Sequence, residues 1–180
     1  REILEVIIPA LLLFLVIRAF LFEARYVPSP SMHPSIMTWD RFLVEKVSYR
    51  FRSPRRGEIV VFRPPDQAVK LMEETNLPGV SGKTQDFIKR IIGLPQETVW
   101  IREGTVYIDG KPLDEPYISP DRQPFYEYGP VEIPEGHYMM LGDNRNNSWD
   151  SHNWGFVPQK NIIGRAFWRF WPLNRLGTVR

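Results

Sequence analysis

The chain has no cysteine, which excludes disulfide frameworks, thiol nucleophiles and thiolate metal sites. It carries only 3 histidines, too few for a histidine-rich metal centre. It also lacks a dominant charge: 23 Lys and Arg against 21 Asp and Glu leave a net +2, so bulk electrostatics gives no argument for nucleic acid. The basic cluster Arg50, Arg52, Arg55, Arg56 reads as a solvated loop or as a contact for anionic headgroups. Proline, by contrast, is plentiful, with 17 spread along 180 residues, which argues for loops and edge strands and against a helical bundle. The first residue is Arg rather than Met, so a preceding segment is expected.

One long apolar run is present. Val6 to Ile17 is uninterrupted, and with Arg18 inside it the stretch from Ile3 to Phe22 covers 20 residues. At helical rise this matches a hydrocarbon core of about 30 Å. Glu5 lies near one end, and Arg18, one turn from the other, can extend its stem to the interface. Such a run can form a spanning helix, a cleavable signal segment or a buried core helix. No small-residue cleavage pattern follows it, which favours the spanning form.

Beyond residue 24 the pattern is one of short apolar strands and turns. Candidate strands are 41–51, 57–62, 86–93, 98–102, 105–109, 137–142 and 164–171. Glu103-Gly104 reads as a two-residue hairpin turn, and Asp109-Gly110 as a second turn. Residues 63–85, 110–136 and 143–161 read as long loops, lengths that compact domains seldom keep without a functional reason. The fold class is mainly β, with strands closing around one core.

Two residues are candidates for chemistry. Ser31 sits in Pro28-Ser29-Pro30-Ser31-Met32-His33-Pro34, where flanking prolines hold a stiff, non-helical turn. A linker serine would look the same. Of the possible bases, His33 is too close in sequence for easy triad geometry, and His137 lies among apolar residues of a candidate strand. Lys89 shares a strand face with Phe87 and Ile91. If that face is buried, desolvation lowers the lysine pKa toward neutrality and a neutral amine can take a serine proton. By periodicity alone the better fit is a sheet-edge lysine with its ammonium in water. The run 142–155 is dense in Asp, Asn and Ser and can brace a site.

Together these segments resemble the type I signal peptidases. The resemblance rests on Pro-Ser-x-Ser-Met-x-Pro at 28–34, Arg-Gly-Glu-Ile-Val-Val-Phe at 56–62, Lys-Arg-Ile-Ile-Gly-Leu-Pro at 89–95 and Gly-Asp-Asn-Arg-x-Asn-Ser-x-Asp-Ser at 142–151, in that order. It implies a transmembrane anchor over 1–23 and a mainly β catalytic domain over 24–180, with a closed or partly open sheet and long loops. It implies Ser31 as nucleophile, Lys89 as general base, Ser29 in the oxyanion hole and Ser148 hydrogen-bonded to Lys89. Asp143 pairs with Arg90, and Arg145, Asp150 and His152 support the last segment. Val27, Met32, Ile36, Phe87 and Ile88 line shallow substrate pockets. Substrates are precursor proteins with Ala-x-Ala signal peptides, bound extended near 25–28 and 86–88. No metal or organic cofactor is implied. The expected location is the plasma or thylakoid membrane, with the catalytic domain on the non-cytosolic face. Aromatic residues Tyr26, Phe42, Trp168, Phe170 and Trp171 form either bilayer contact or core. The chain departs from the pattern at Gln96-Glu97, at Pro30 and at His152, which stands where many members carry Arg. The ending Asp-Ser-His-Asn-Trp-Gly resembles the cyanobacterial and thylakoid branch. Competing readings are a self-cleaving or regulatory Ser/Lys protease and a non-enzymatic membrane-tethered β-domain that binds exported chains.

Overall fold

The computed structural model describes residues 5–12, 21–75 and 85–179. Residues 5–12 form a helix, α1, with Val6, Ile7, Ile8, Leu11 and Leu12 exposed. Of the rest of the predicted anchor 1–23, residues 1–4 and 13–20 lie outside the described residues, and its end is corrected: Phe22 and Glu23 belong to a strand, Phe22–Tyr26, where they pair with Glu45 and Val44. Among the described residues no helix is long and apolar enough to cross a membrane.

The described strands form two antiparallel sheets. The larger contains β1 (Phe22–Tyr26), β2 (Arg41–Glu45), β3 (Ile59–Phe62), β4 (Phe87–Gly93), β9 (His137–Leu141), β10 (Val157–Pro158), β11 (Ile162–Trp171) and β12 (Gly177–Thr178). Its order is β1-β2-β11-β3-β4-β9-β10, with β12 pairing β11. The smaller contains β5 (Thr98–Arg102), β6 (Thr105–Ile108), β7 (Lys111–Pro112) and β8 (Tyr128–Glu132), in the order β7-β6-β5-β8. The mainly β expectation therefore holds.

Turn chemistry explains the smaller sheet. Glu103 and Gly104 have φ of 50° and 77°, and Asp109 and Gly110 have 49° and 76°. Two successive positive φ values twist a tight loop in the sense that antiparallel strands need, so β5-β6-β7 form a meander. Val99, Ile101, Val106 and Ile108 alternate inward and pack with Ile92, Ile133, Met139 and Leu141. A second cluster joins Val60, Phe62, Ile91, Met140 and Trp154. A third joins Val27, Met32, Ile36, Phe42, Val44, Ile59, Val61 and Ile88 beneath the turn that carries Ser31.

Several expectations are corrected: the predicted strand 41–51 ends at Glu45, the predicted loop 110–136 holds β7 and β8, and the predicted loop 143–161 holds β10 and a helical turn at Ser151–Trp154. Within the predicted loop 63–85, Asp66–Thr75 forms helix α2, entered after Pro64-Pro65 with Asp66 in its first turn. Ala68 and Met72, one turn apart, are its buried residues, so the helical period is visible in only one short pair. Of the aromatic residues left open between bilayer contact and core, Phe42 is core, at 1% exposure. In the basic cluster, Arg52 pairs with Glu58 at 2.6 Å and Arg56 with Glu97 at 2.5 Å, so these two cations serve local structure.

Candidate active site

Ser31 lies in a one-turn 3-10 helix, Pro30–Met32, that follows β1. Pro30 at the start of this turn fixes φ, and Asn144 clamps it: the Asn144 backbone N–H donates to Ser31 O at 3.0 Å and its side-chain amide to Pro30 O at 3.1 Å. Lys89 lies on β4, between strands β3 and β9 in the sheet order. Its Nζ donates to Ser31 Oγ at 2.9 Å. Ser29 Oγ is 3.1 Å from Ser31 Oγ.

Both partners are buried, Ser31 at 6% and Lys89 at 5% exposure. Burial is the main influence on Lys89 and lowers its pKa from 10.5 to about 8; Asp150 and then Asp143 oppose the shift. The aromatic face of Phe87 stands 5.9 Å from Nζ and adds apolar wall. A neutral amine in this contact can accept a hydrogen bond and a proton from a serine hydroxyl.

The frame around the pair is a set of buried charged contacts. Arg90 donates to Asp143 through Nε at 2.8 Å and Nη2 at 2.6 Å, and also to Gly57 O at 2.8 Å and Ser35 Oγ at 3.2 Å. It thereby ties β4 to the loop after β9 and to the turn after Ser31. Asp150, fully buried, accepts from Gly142 N at 2.9 Å and from His152, whose Nδ1 is 2.7 Å from Oδ1. It also caps the short helix α3 (Ser151–Trp154), with Asn153 closing the reciprocal bond. His152 stacks on Tyr126 with ring centroids 3.9 Å apart. Ser151 Oγ accepts from Met140 N at 3.0 Å. Arg145 reaches Glu115 at 2.8 and 2.5 Å, pinning the loop to the segment that follows β7. Gly142 is required by space, since a Cβ there would stand 2.5 Å from Ser31 O and 2.2 Å from Ser148 Oγ.

The structure thus gathers Ser29, Ser31, Lys89, Arg90, Asp143, Arg145, Asp150 and His152 into one connected assembly. Ser148 abuts Gly142, but its buried Oγ has no hydrogen-bond partner among the described residues, so the anticipated bond to Lys89 is not formed. A cleft of about 600 Å³ opens over the pair. Phe87 and Ile88 line it, whereas Val27, Met32 and Ile36 have no accessible surface and form packing beneath it, because their side chains complete the core cluster under the Ser31 turn. Residues that sequence reasoning left out are Met72, Asn147 and Trp149 on the cleft wall, and Asn144 as the clamp. Asn144 and Trp149 belong to the polar run already noted; Met72 had only its helical spacing from Ala68 as a signal.

A serine hydroxyl bonded to a buried amine, both lining an open cleft, is the layout a histidine-independent serine endopeptidase requires. Comparison with known proteins agrees. A family model described as signal peptidase, peptidase S26, matches residues 1–171. A probable signal peptidase I-2 of Synechocystis sp. is 51% identical over 178 residues, covering 99% of this chain and 76% of the relative. A signal peptidase I of Leptolyngbya laminosa is 50% identical over 170 residues, covering 94% and 79%. A chloroplastic thylakoidal processing peptidase 1 of Arabidopsis thaliana is 37% identical over 162 residues, covering 90% of this chain and 46% of that one. The chain belongs to the signal peptidase I family of serine endopeptidases.

Proposed function

We propose that this peptidase removes signal peptides from exported precursors with Ser31 as nucleophile and Lys89 as general base. The observation that carries the reading is the 2.9 Å contact between Ser31 Oγ and a lysine whose burial holds its pKa near 8. Neutral Lys89 takes the Ser31 proton as Oγ attacks the scissile carbonyl. The oxyanion receives the Ser31 backbone N–H and, after a rotation about its own side chain, the Ser29 hydroxyl. Collapse breaks the C–N bond, and the Lys89 ammonium returns its proton to the departing amine. Lys89 then deprotonates a water that attacks the ester, and the signal peptide leaves as a carboxylate with Ser31 reprotonated. Arg90–Asp143 and Asp150–His152 hold the geometry.

The substrate binds extended along the end of β1 and the start of β4, with small residues such as Ala at the first and third positions before the cut. The apolar segment before β1 anchors the enzyme, and the β domain that begins with β1 acts on the non-cytosolic side of a plasma or thylakoid membrane. Ser31→Ala, Lys89→Ala and Lys89→Arg, assayed on a precursor with an Ala-x-Ala site, test the mechanism. Each is expected to lose at least about 10³-fold in kcat, since arginine cannot supply a neutral base. Wild-type cleavage by Lys89→Arg would remove the general-base role.

A further inference from the structure

β1 and β4 are four strand spacings apart in the order β1-β2-β11-β3-β4. In a flat sheet that is about 19 Å. Yet Arg25 Nη2 on β1 lies 2.9 Å from Asp86 Oδ2, just before β4. The sheet therefore curls until these two strands face each other, and the ion pair crosses the gap. Both facing edges are open. Among the described residues β1 pairs only β2, and β4 pairs β9 only from Arg90 onward, leaving Phe87–Lys89 without a partner on that side.

The two walls of the cleft run in the same direction. One steps from Tyr26 through Pro28 to Ser31, the other from Asp86 to Lys89. Asp86 is three residues before Lys89 on an extended chain, about 10 Å away. Arg25–Asp86 thus stands roughly three peptide residues from the reacting pair. Arg25 Nη2 also contacts Glu23 Oε1 at 2.7 Å, and Glu23 contacts Lys46 at 3.3 Å. Both partners of the crossing pair are part-exposed, Arg25 at 35% and Asp86 at 20%. Ion pairs in that setting are weak, so a bound peptide can open one.

We propose that the Arg25–Asp86 ion pair is a strap across the upstream end of the peptide seat, which substrates extending more than about three residues before the scissile bond must displace. This rests on the reading of the cleft as the acyl-side peptide seat. The strap makes the pair a determinant of specificity for the chain upstream of the small residues: short acyl segments fit beneath it, longer ones open it.

The test compares two synthetic peptides sharing one Ala-x-Ala site, one acetylated three residues before the cut and one extending seven. In Arg25→Gln and Asp86→Asn the long-to-short ratio of kcat/KM is expected to rise about two- to fivefold through the long peptide alone. The swap Arg25→Asp with Asp86→Arg is expected to restore the wild-type ratio. In the wild type, the ratio is expected to rise as salt screens the pair. An unchanged or lower ratio in both single variants overturns the strap. If those variants do not fold, a salt-independent wild-type ratio overturns it. Ser31→Ala is run in parallel: loss of cleavage of both peptides upholds the nucleophile irrespective of the strap, and retained cleavage removes the nucleophile without bearing on the length ratio.

Discussion

Lys89 carries a cost that its position imposes. Its folded pKa is about 8 against 10.5 for a free lysine, with burial as the leading cause. The folded state thus binds fewer protons than the unfolded chain between those values, and stability rises with pH across that window. Below pH 8 the full penalty applies, roughly 3 kcal/mol at 1.36 kcal/mol per pKa unit. Lys89→Met removes the charge while keeping the apolar stem, so the variant is expected to melt about 6–12 °C higher at pH 7. The gain should fade toward pH 10.5, and calorimetry at both values checks it. A lower Tm at pH 7 would show that the Ser31 contact outweighs desolvation. The same shift predicts kinetics. The base must be neutral, so kcat/KM for a peptide substrate should plateau above about pH 8 and fall tenfold per unit below it. A limb unmoved from the 10.5 of free lysine would remove the buried-amine argument.

At the scale of elements, the site depends on how closely the turn at Ser31 meets the loop after β9. Gly142 is the meeting point. An added Cβ would meet Ser31 O at 2.5 Å, and a backbone carbonyl held by Asn144 cannot step aside cheaply. Gly142→Ala is expected to displace the nucleophile and lower kcat about 10²-fold while changing KM little, since the cleft wall of β4 is untouched. Steady-state kinetics separates the two parameters; a KM effect with kcat preserved would place Gly142 in binding. This approach also marks the boundary of what the sequence could reveal. The hairpin at Glu103-Gly104 was legible because two residues with forced backbone geometry encode it locally. The Ser31 and Lys89 segments were legible through the ordered set of four motifs, since a linker serine and a sheet-edge lysine fit the local patterns as well. Helix α2 was not, since two buried residues after a Pro-Pro pair barely register a period. The packing of Val27, Met32 and Ile36 under the cleft, and the unpartnered Ser148 hydroxyl, depend on contacts between distant segments that no local pattern contains.

At the scale of the whole molecule, the strand order places β11 between β2 and β3, so the last long strand joins the N-terminal pair β1-β2 to the rest of the curled sheet. Arg41 on β2 is in register with Tyr26 on one side and Trp171 on the other. Trp39 stacks on Tyr26 with centroids 5.7 Å apart, and Leu173 follows Trp171. Tyr26, Trp39, Trp171 and Leu173 are exposed at 56%, 64%, 49% and 66%. An aromatic row with an arginine in it is the composition that settles at a bilayer interface, rings at headgroup depth and the guanidinium near phosphates. This face adjoins the cleft through Tyr26, so resting on the bilayer would hold the peptide seat at the height where a signal peptide emerges. Replacing Trp171 and Leu173 by Ser, away from the cleft lining, is expected to leave cleavage of a soluble peptide unchanged. Cleavage of a membrane-inserted precursor by the enzyme reconstituted in vesicles should fall about tenfold. Quenching of tryptophan fluorescence by brominated lipid should weaken in parallel, because Trp171 itself is removed from the contact. Unaltered quenching in Trp171→Phe would show that this face stands clear of the bilayer, and equal losses on soluble and membrane-borne substrates would assign the two residues to folding instead.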